Sequence, residues 1–177
     1  MHESSFKKMS ELFEQYLCSS EEGTRSVLDF GSYDFNGTYK NIFPSSKWDY
    51  KGIDLQEGPN VDYVFQNPYV WSGIKDNSID LVVSGQALEH CEFPWLIFEE
   101  TKRVLKCSGK CIFIAPSSGH EHKYPVDCWR IYPDGMKALC KHAGLEVLHC
   151  ETDWNPKIYD DESHLWKDTS LVAENIK

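Results

Sequence analysis

No apolar run in the chain approaches the ~18–20 residues that span a bilayer, which excludes a membrane-crossing helix. Residues 1–20 mix Glu and Lys with apolar positions and hold no signal-peptide core, so a non-exported, cytoplasmic protein is expected. The seven cysteines form an odd set without a CxxC pair, which argues against a disulfide framework and for reduced thiols. Cys107 and Cys111, spaced CxxxC, read as core or surface thiols. Basic residues are also scarce. Lys plus Arg number 18 against 28 Asp plus Glu, a formal charge of -10, and no Lys/Arg stripe offsets it. A surface of that sign repels phosphate backbones, which excludes nucleic acid as the main partner.

What is present is one domain's worth of chain. At 177 residues, 41% of them hydrophobic, it is long enough to bury a core without disulfides. Phe6, Met9, Leu12, Phe13, Tyr16 and Leu17 recur at helical spacing and predict an amphipathic helix over 4–18, ended by a turn from Ser19 to Gly23. It reads either as a helix packed on the core or as a lid over a ligand site. Short apolar runs at 26–30, 50–55, 61–65, 79–84, 110–115, 145–150 and 170–173 read as strands. Helical spacing over 94–106 lies between the fourth and fifth of these. A third helix starts at Pro133 and stops at Gly144. Strands alternating with helices predict an α/β domain with a mainly parallel sheet. The 117–132 segment, rich in His, Pro, Tyr and Trp, is the longest loop.

In open α/β sheets, ligands sit beyond the carboxyl ends of the strands. The first strand ends Asp29-Phe30-Gly31-Ser32-Tyr33-Asp34, with Gly37 six residues after Gly31. A glycine there lets the backbone turn sharply beside a ligand, and Thr38–Phe43 would present helix N-terminal amides to a ligand carboxylate. Asp29 and Asp34 would repel a pyrophosphate and suit an ammonium or sulfonium; a purely structural turn is the alternative. The second strand ends at Asp54, an acidic residue about 20 positions on, where nucleotide-binding sheets grip ribose hydroxyls.

These elements resemble the class I S-adenosylmethionine-dependent methyltransferases, in the small single-domain branch of the methyltransferase type 11 kind. The residues that carry the resemblance are Asp29-Phe30-Gly31, Asp54, Leu88-Glu89-His90, Phe93-Pro94-Trp95, and Glu100-x-x-Arg103-Val104-Leu105-Lys106-x-x-Gly109 with the strand that follows, all within 26–150. One departure stands out: of the family's Gly-x-Gly-x-Gly loop only Gly31 remains, with Tyr33 and Phe35 at the next two positions. The resemblance implies a Rossmann-like, doubly wound, mainly parallel seven-stranded sheet with an antiparallel last strand. It implies that S-adenosylmethionine is the cofactor and S-adenosylhomocysteine its product. It places Gly31 and Ser32 at the methionine part and Asp29 and Asp34 near the ammonium. Asp54 falls on the ribose, Leu55 and Asn67 on the adenine, and Ser84, Gly85 and Gln86 on the methionine side. It divides the single domain 1–177 into a helix over 1–20, a cofactor-binding half over 26–116 and an acceptor side over 117–177.

Histidine titrates near neutrality and is the natural base for a hydroxyl acceptor. His90, beyond the fourth strand, is the first candidate, with His120 and His122 in the long loop; a strand-end cap is the plain alternative for His90, and Glu89 is equally ambiguous. Tyr124, Asp127, Trp129 and Arg130 are candidates for acceptor contacts, Arg130 holding a carboxylate or phosphate bidentately. The alternative is structural, with Trp129 in the core and Arg130 paired to Asp127. His120, His122 and Asp127 also have metal-ligand chemistry, yet no fourth ligand is evident and no metal is expected. The function expected is methyl transfer to an oxygen of a small-molecule or glycan acceptor. Two rivals are a non-catalytic cofactor-binding or partner protein, and a nicotinamide-dependent oxidoreductase, against which the missing pyrophosphate glycines speak.

Overall fold

The structure, a computed structural model, describes residues 2–17 and 23–177. Seven strands form one sheet: β1 (Arg25–Phe30), β2 (Trp48–Asp54), β3 (Tyr63–Val64), β4 (Ile79–Gly85), β5 (Leu105–Ala115), β6 (Glu146–Thr152) and β7 (Thr169–Glu174). Their order is β3-β2-β1-β4-β5-β7-β6. The pairs β1–β2, β1–β4, β2–β3 and β4–β5 are parallel, and β7 runs antiparallel to both β5 and β6. This is the expected doubly wound sheet with its antiparallel last strand. Both sheet faces are covered, so the central strands read as unbroken apolar runs rather than alternating ones. Neighbouring residues then serve opposite cores. Leu28, Val82, Phe113 and Leu171 pack in one cluster, and Val27, Leu81, Ile112 and Val172 in the other.

The first cluster is closed by α2 (Pro94–Val104) and α3 (Pro133–Ala143) through Ile97, Phe98, Val104, Met136 and Cys140. Each helix starts on proline, whose missing N–H is no loss in a first turn. Gly144 ends α3 in the left-handed conformation and donates its N–H to the Cys140 carbonyl. The second cluster is closed by α1 (Glu3–Leu17), which buries Met9, Leu12, Phe13 and Leu17. Fully burying each such side chain is worth about 1.5–3 kcal/mol, so α1 is a core helix and not a lid. The turn expected at Ser19 to Gly23, the end of the 1–20 segment and Cys18 lie wholly or partly outside the described residues. The six described cysteines are free; Cys111 is buried and Cys107 exposed, one thiol of each kind.

Two local expectations change. Thr38–Phe43 is not the start of an α-helix but one 3-10 turn, Tyr39–Ile42, with the Thr38 side chain accepting from the Lys40 N–H. It offers no amide array for a ligand carboxylate. β5 begins at Leu105 rather than Lys110, because Leu105 pairs with Ile79 ahead of a register shift.

The long β3–β4 connection is held by Arg103. Its guanidinium donates to Glu100 twice at 2.7 Å, to Asp76 at 2.6 Å and to the Ile74 and Trp71 carbonyls, while Glu100 also accepts the Trp71 N–H. Arg103→Met is expected to lower unfolding free energy by about 1–3 kcal/mol in urea titration, since charge-assisted bonds of this kind leave unpaired acceptors when broken. A change inside experimental error would show the network to be dispensable.

Candidate active site

The carboxyl ends of β1, β2 and β4 open into a cavity of about 530 Å³, within the size range of small-molecule sites. Gly31, at φ +77, turns the chain out of β1; a Cβ there would stand 2.5 Å from the Ala87 Cβ, so only glycine fits. The Gly31 and Ser32 N–H groups then donate to the Ile53 carbonyl, which ties this loop to the end of β2. Gln86 follows β4 with φ +58 and also lines the cavity, its Nε2 donating to Asp168 and its buried Oε1 without a partner.

Asp29, Gly31, Ser32, Asp54, Leu55, Gly85 and Gln86 all line the cavity, beside an apolar wall of Phe30, Ile53 and Phe65. The Asp54 carboxylate is fixed by the Tyr33 N–H on one oxygen (3.0 Å) and the Leu55 N–H on the other (2.7 Å). An ionised carboxylate has about four acceptor sites, so lone pairs remain for hydroxyls. Asp29 is buried and accepts a short bond from the Tyr50 hydroxyl, which in turn accepts from Asn60. Burial pushes the Asp29 carboxyl up to about 7, the Tyr50 bond opposing and the Asp54 charge adding to it.

Three expected site residues are not in the cavity wall. Asp34 is not in the cavity wall; its Oδ1 accepts the Gly37 N–H and shapes its own loop. Asn67 lies in a neighbouring surface groove with its amide oxygen taken by the Tyr69 N–H, as happens when Asn begins a turn. Ser84 is buried beneath the cavity and donates to the Phe30 carbonyl.

The 117–132 loop splits in two. His122, Tyr124 and Pro125 line the cavity together with His90, Cys91 and His2, the residue just ahead of α1. His120, Asp127, Trp129 and Arg130 do not. Arg130 holds both Asp127 oxygens, at 2.6 and 2.9 Å, and donates to the His120 carbonyl. That pair keeps the Asp127 carboxyl well below the usual range. Trp129 is not in the core either: it is 40% exposed and donates its indole N–H to the Cys91 carbonyl. These residues pin the loop down from outside the cavity. The Cys128 and Trp129 amides, both donating to the Glu89 carbonyl, pin it further.

Pinning brings His122 onto His90. Their rings meet edge to face with centroids 4.9 Å apart. His90 Nδ1 lies 2.6 Å from the Val126 carbonyl, which only accepts, so Nδ1 carries the proton and Nε2 the lone pair. Glu89, His90 and His122 each offer one ligand atom within 4.8 Å of the others, a grouping different from the His120–His122–Asp127 set weighed from the sequence. At the mouth, Tyr33, Phe35 and Tyr124 form an aromatic rim, with Phe35 and Tyr124 mostly exposed.

Residues 49–113 match a family model described as a methyltransferase domain. No curated protein matches the chain in sequence. Among solved structures it resembles Burkholderia thailandensis 1,6-didemethyltoxoflavin-N1-methyltransferase with bound 1,6-didemethyltoxoflavin and S-adenosylhomocysteine. The TM-score is 0.73 at 13% identity, over 99% of this chain and 80% of that one. A S-adenosylmethionine-dependent methyltransferase from Aquifex aeolicus aligns over 98% of both chains (TM-score 0.59, 19% identity). The 4+2 cyclase SpnF aligns over 94% of this chain and 79% of its own (TM-score 0.69, 15% identity). The chain has the class I methyltransferase fold. That agrees with the resemblance read from the motifs.

Several residues that line or brace this cavity carry no signal in the sequence. Tyr50 and Asn60, which hold Asp29 and the Ser32 carbonyl, look like an ordinary strand aromatic and an ordinary loop amide. Asp168 reaches Gln86 from just before β7, a long way along the chain. His2 stacks on Trp166, a pairing no local pattern announces. Among the described residues no helix is long and apolar enough to cross a membrane.

Proposed function

We propose that this chain transfers a methyl group from S-adenosylmethionine to an oxygen of a small-molecule or glycan acceptor. One observation carries the reading: a single cavity has the acidic ends of β1 and β2 on one side and the His90–His122 pair on the other.

The chemistry of the wall suits the donor. Asp29 is a buried carboxylate with no cationic side chain bonded to it, and a ligand ammonium or sulfonium would offset its charge. Asp54 has lone pairs left for ribose hydroxyls, Gln86 Oε1 is an unmatched acceptor, and Phe30, Ile53, Leu55 and Phe65 offer an apolar face to a purine. When bound, S-adenosylmethionine supplies a sulfonium-bound methyl; the acceptor oxygen forms the new O–C bond as the S–C pair returns to sulfur. This chain's part is to position the acceptor and take its proton. The Tyr33–Phe35–Tyr124 rim offers ring faces to a sugar or aromatic acceptor. His90 Nε2 receives the hydroxyl proton while the Val126 carbonyl, held on Nδ1, favours the imidazolium that forms.

Asp54→Ala tests the donor side. Hydrogen bonds to a charged group contribute about 1.5–3 kcal/mol, so S-adenosylmethionine affinity by calorimetry should fall ~10–150-fold. Unchanged affinity would remove Asp54 from the ribose. Thermal shift with S-adenosylmethionine, S-adenosylhomocysteine and NAD tests the class: stabilisation by the first two is expected, and stabilisation by NAD alone would overturn the reading.

A further inference from the structure

We infer that Glu89, His90 and His122 form a binding site for one divalent transition-metal ion at the acceptor end of the cavity. Glu89 is completely buried, and neither carboxylate oxygen has a hydrogen-bond partner. A buried polar group left without a hydrogen-bond partner is costly in a fold, and a ligand that pairs with it offsets that cost. No lysine or arginine among the described residues does so, since Arg130, the nearest cation in electrostatic effect, is committed to Asp127. What faces Glu89 is the lone-pair nitrogen of His90, with Nε2 3.7 Å from Oε1. Two groups that both accept do not satisfy each other. A cation between them satisfies both.

His122 completes the set. Its buried Nδ1 has no hydrogen bond and stands 3.4 Å from Asp127 Oδ2. One ligand atom from each residue lies within 4.8 Å of the other two. Ligand atoms on one tetrahedral metal at ~2.0–2.2 Å stand ~3.3–3.6 Å apart, so the trio closes on an ion by side-chain movements that draw its widest pair in by up to about 1.3 Å. The surroundings are those of a built site. The Val126 carbonyl fixes the His90 tautomer, Arg130 fixes Asp127 beside His122, and Glu89's own carbonyl anchors the loop that carries His122. Two imidazoles and one carboxylate suit zinc, iron(II) or cobalt(II) rather than magnesium or calcium. His90 and His122 line the cavity, so the open coordination positions face the acceptor. An acceptor hydroxyl bound there loses its proton to solvent more readily, and His90 then serves as ligand. That role rests on the methyl-transfer reading; metal binding itself does not.

The test uses the untagged, chelator-treated chain without S-adenosylmethionine, titrated with Co2+ and followed by its visible d–d absorption. The expected result is one Co2+ per chain, released by EDTA, without a thiolate charge-transfer band that would indicate the cysteines. Glu89→Gln, which keeps the shape of the buried group, and His122→Asn should each weaken binding at least ~100-fold, as losing a ligand costs no less than losing its support. His142→Ala, an exposed histidine paired with Glu99, should bind as the parent does. Equal binding by the parent and His122→Asn, absence of saturable binding, or a thiolate band would each overturn the site. If Glu89→Gln does not fold, His122→Asn decides alone. Because no methyl donor is present, failure here leaves the methyl-transfer reading standing, and failure of donor binding leaves the metal site standing.

Discussion

Replacing His90 with alanine is expected to slow methyl transfer by ~10²–10⁴-fold, the range that a positioned proton acceptor contributes, with S-adenosylmethionine affinity nearly unchanged. The separation follows from the two-sided cavity. In the proposed reading, donor recognition falls to Asp29, Asp54 and the apolar wall at the ends of β1 and β2, whereas His90 follows β4 and would offer its Nε2 lone pair to the acceptor. The substitution removes that lone pair, on which both proton acceptance and the metal site depend. Single-turnover rates with bound donor, set beside calorimetric affinity, check it. Equal rates in the parent and His90→Ala would place His90 among strand-end caps, and a parallel loss of donor affinity would show that the cavity had collapsed.

The legible parts of this molecule are those set by local physics. Buried strands such as Val27-Leu28 and Ile112-Phe113-Ile114 announce themselves because both sheet faces are covered, and Pro133 with Gly144 brackets a helix by backbone rules alone. The ends of β1 and β2 were legible for the same reason: Gly31 takes the sharp turn that ends its strand, and Asp54 ends the neighbouring strand at the cavity. The 117–132 loop was legible as chemistry but not as geometry. Its His, Asp, Trp and Arg share one short segment, and composition does not tell which of them face inward. The Arg130–Asp127 pair decides that, turning His122 and Tyr124 to the cavity and leaving Trp129 and Arg130 outside it. Asn67 lies in the neighbouring groove because an amide beginning a turn spends its oxygen on its own backbone. Glu89 was ambiguous because burial without partners is a property of the fold around it.

Asp29 gives the second large effect, and its sign is unusual for an aspartate. Burial, against the Tyr50 hydrogen bond, lifts its carboxyl to about 7 from 3.8, and the neighbouring Asp54 charge acts in the same direction as burial. The folded, ligand-free chain therefore holds a proton that the unfolded chain gives up near pH 4. Stability is fully present below that pH and declines as pH rises to about 7, by at most ~4 kcal/mol from this group. Buried Asp168, raised to about 6 by the same cause, tilts the profile the same way. Urea titrations from pH 4.5 to 8 should show the decline, and Asp29→Asn should flatten most of it and unfold at higher denaturant than the parent at pH 8. Donor binding reverses the preference, because a cationic ligand beside Asp29 favours the ionised form. S-adenosylmethionine binding should thus release about one proton at pH 6 and almost none at pH 8, read from calorimetry in buffers of different ionisation enthalpy. Asp29→Asn should bind the donor more weakly and release no proton. A parent stability that is flat or rises across this range, or binding without proton release at pH 6, would mean that Asp29 is ionised in the empty cavity and that the acidic floor is not what selects a cation.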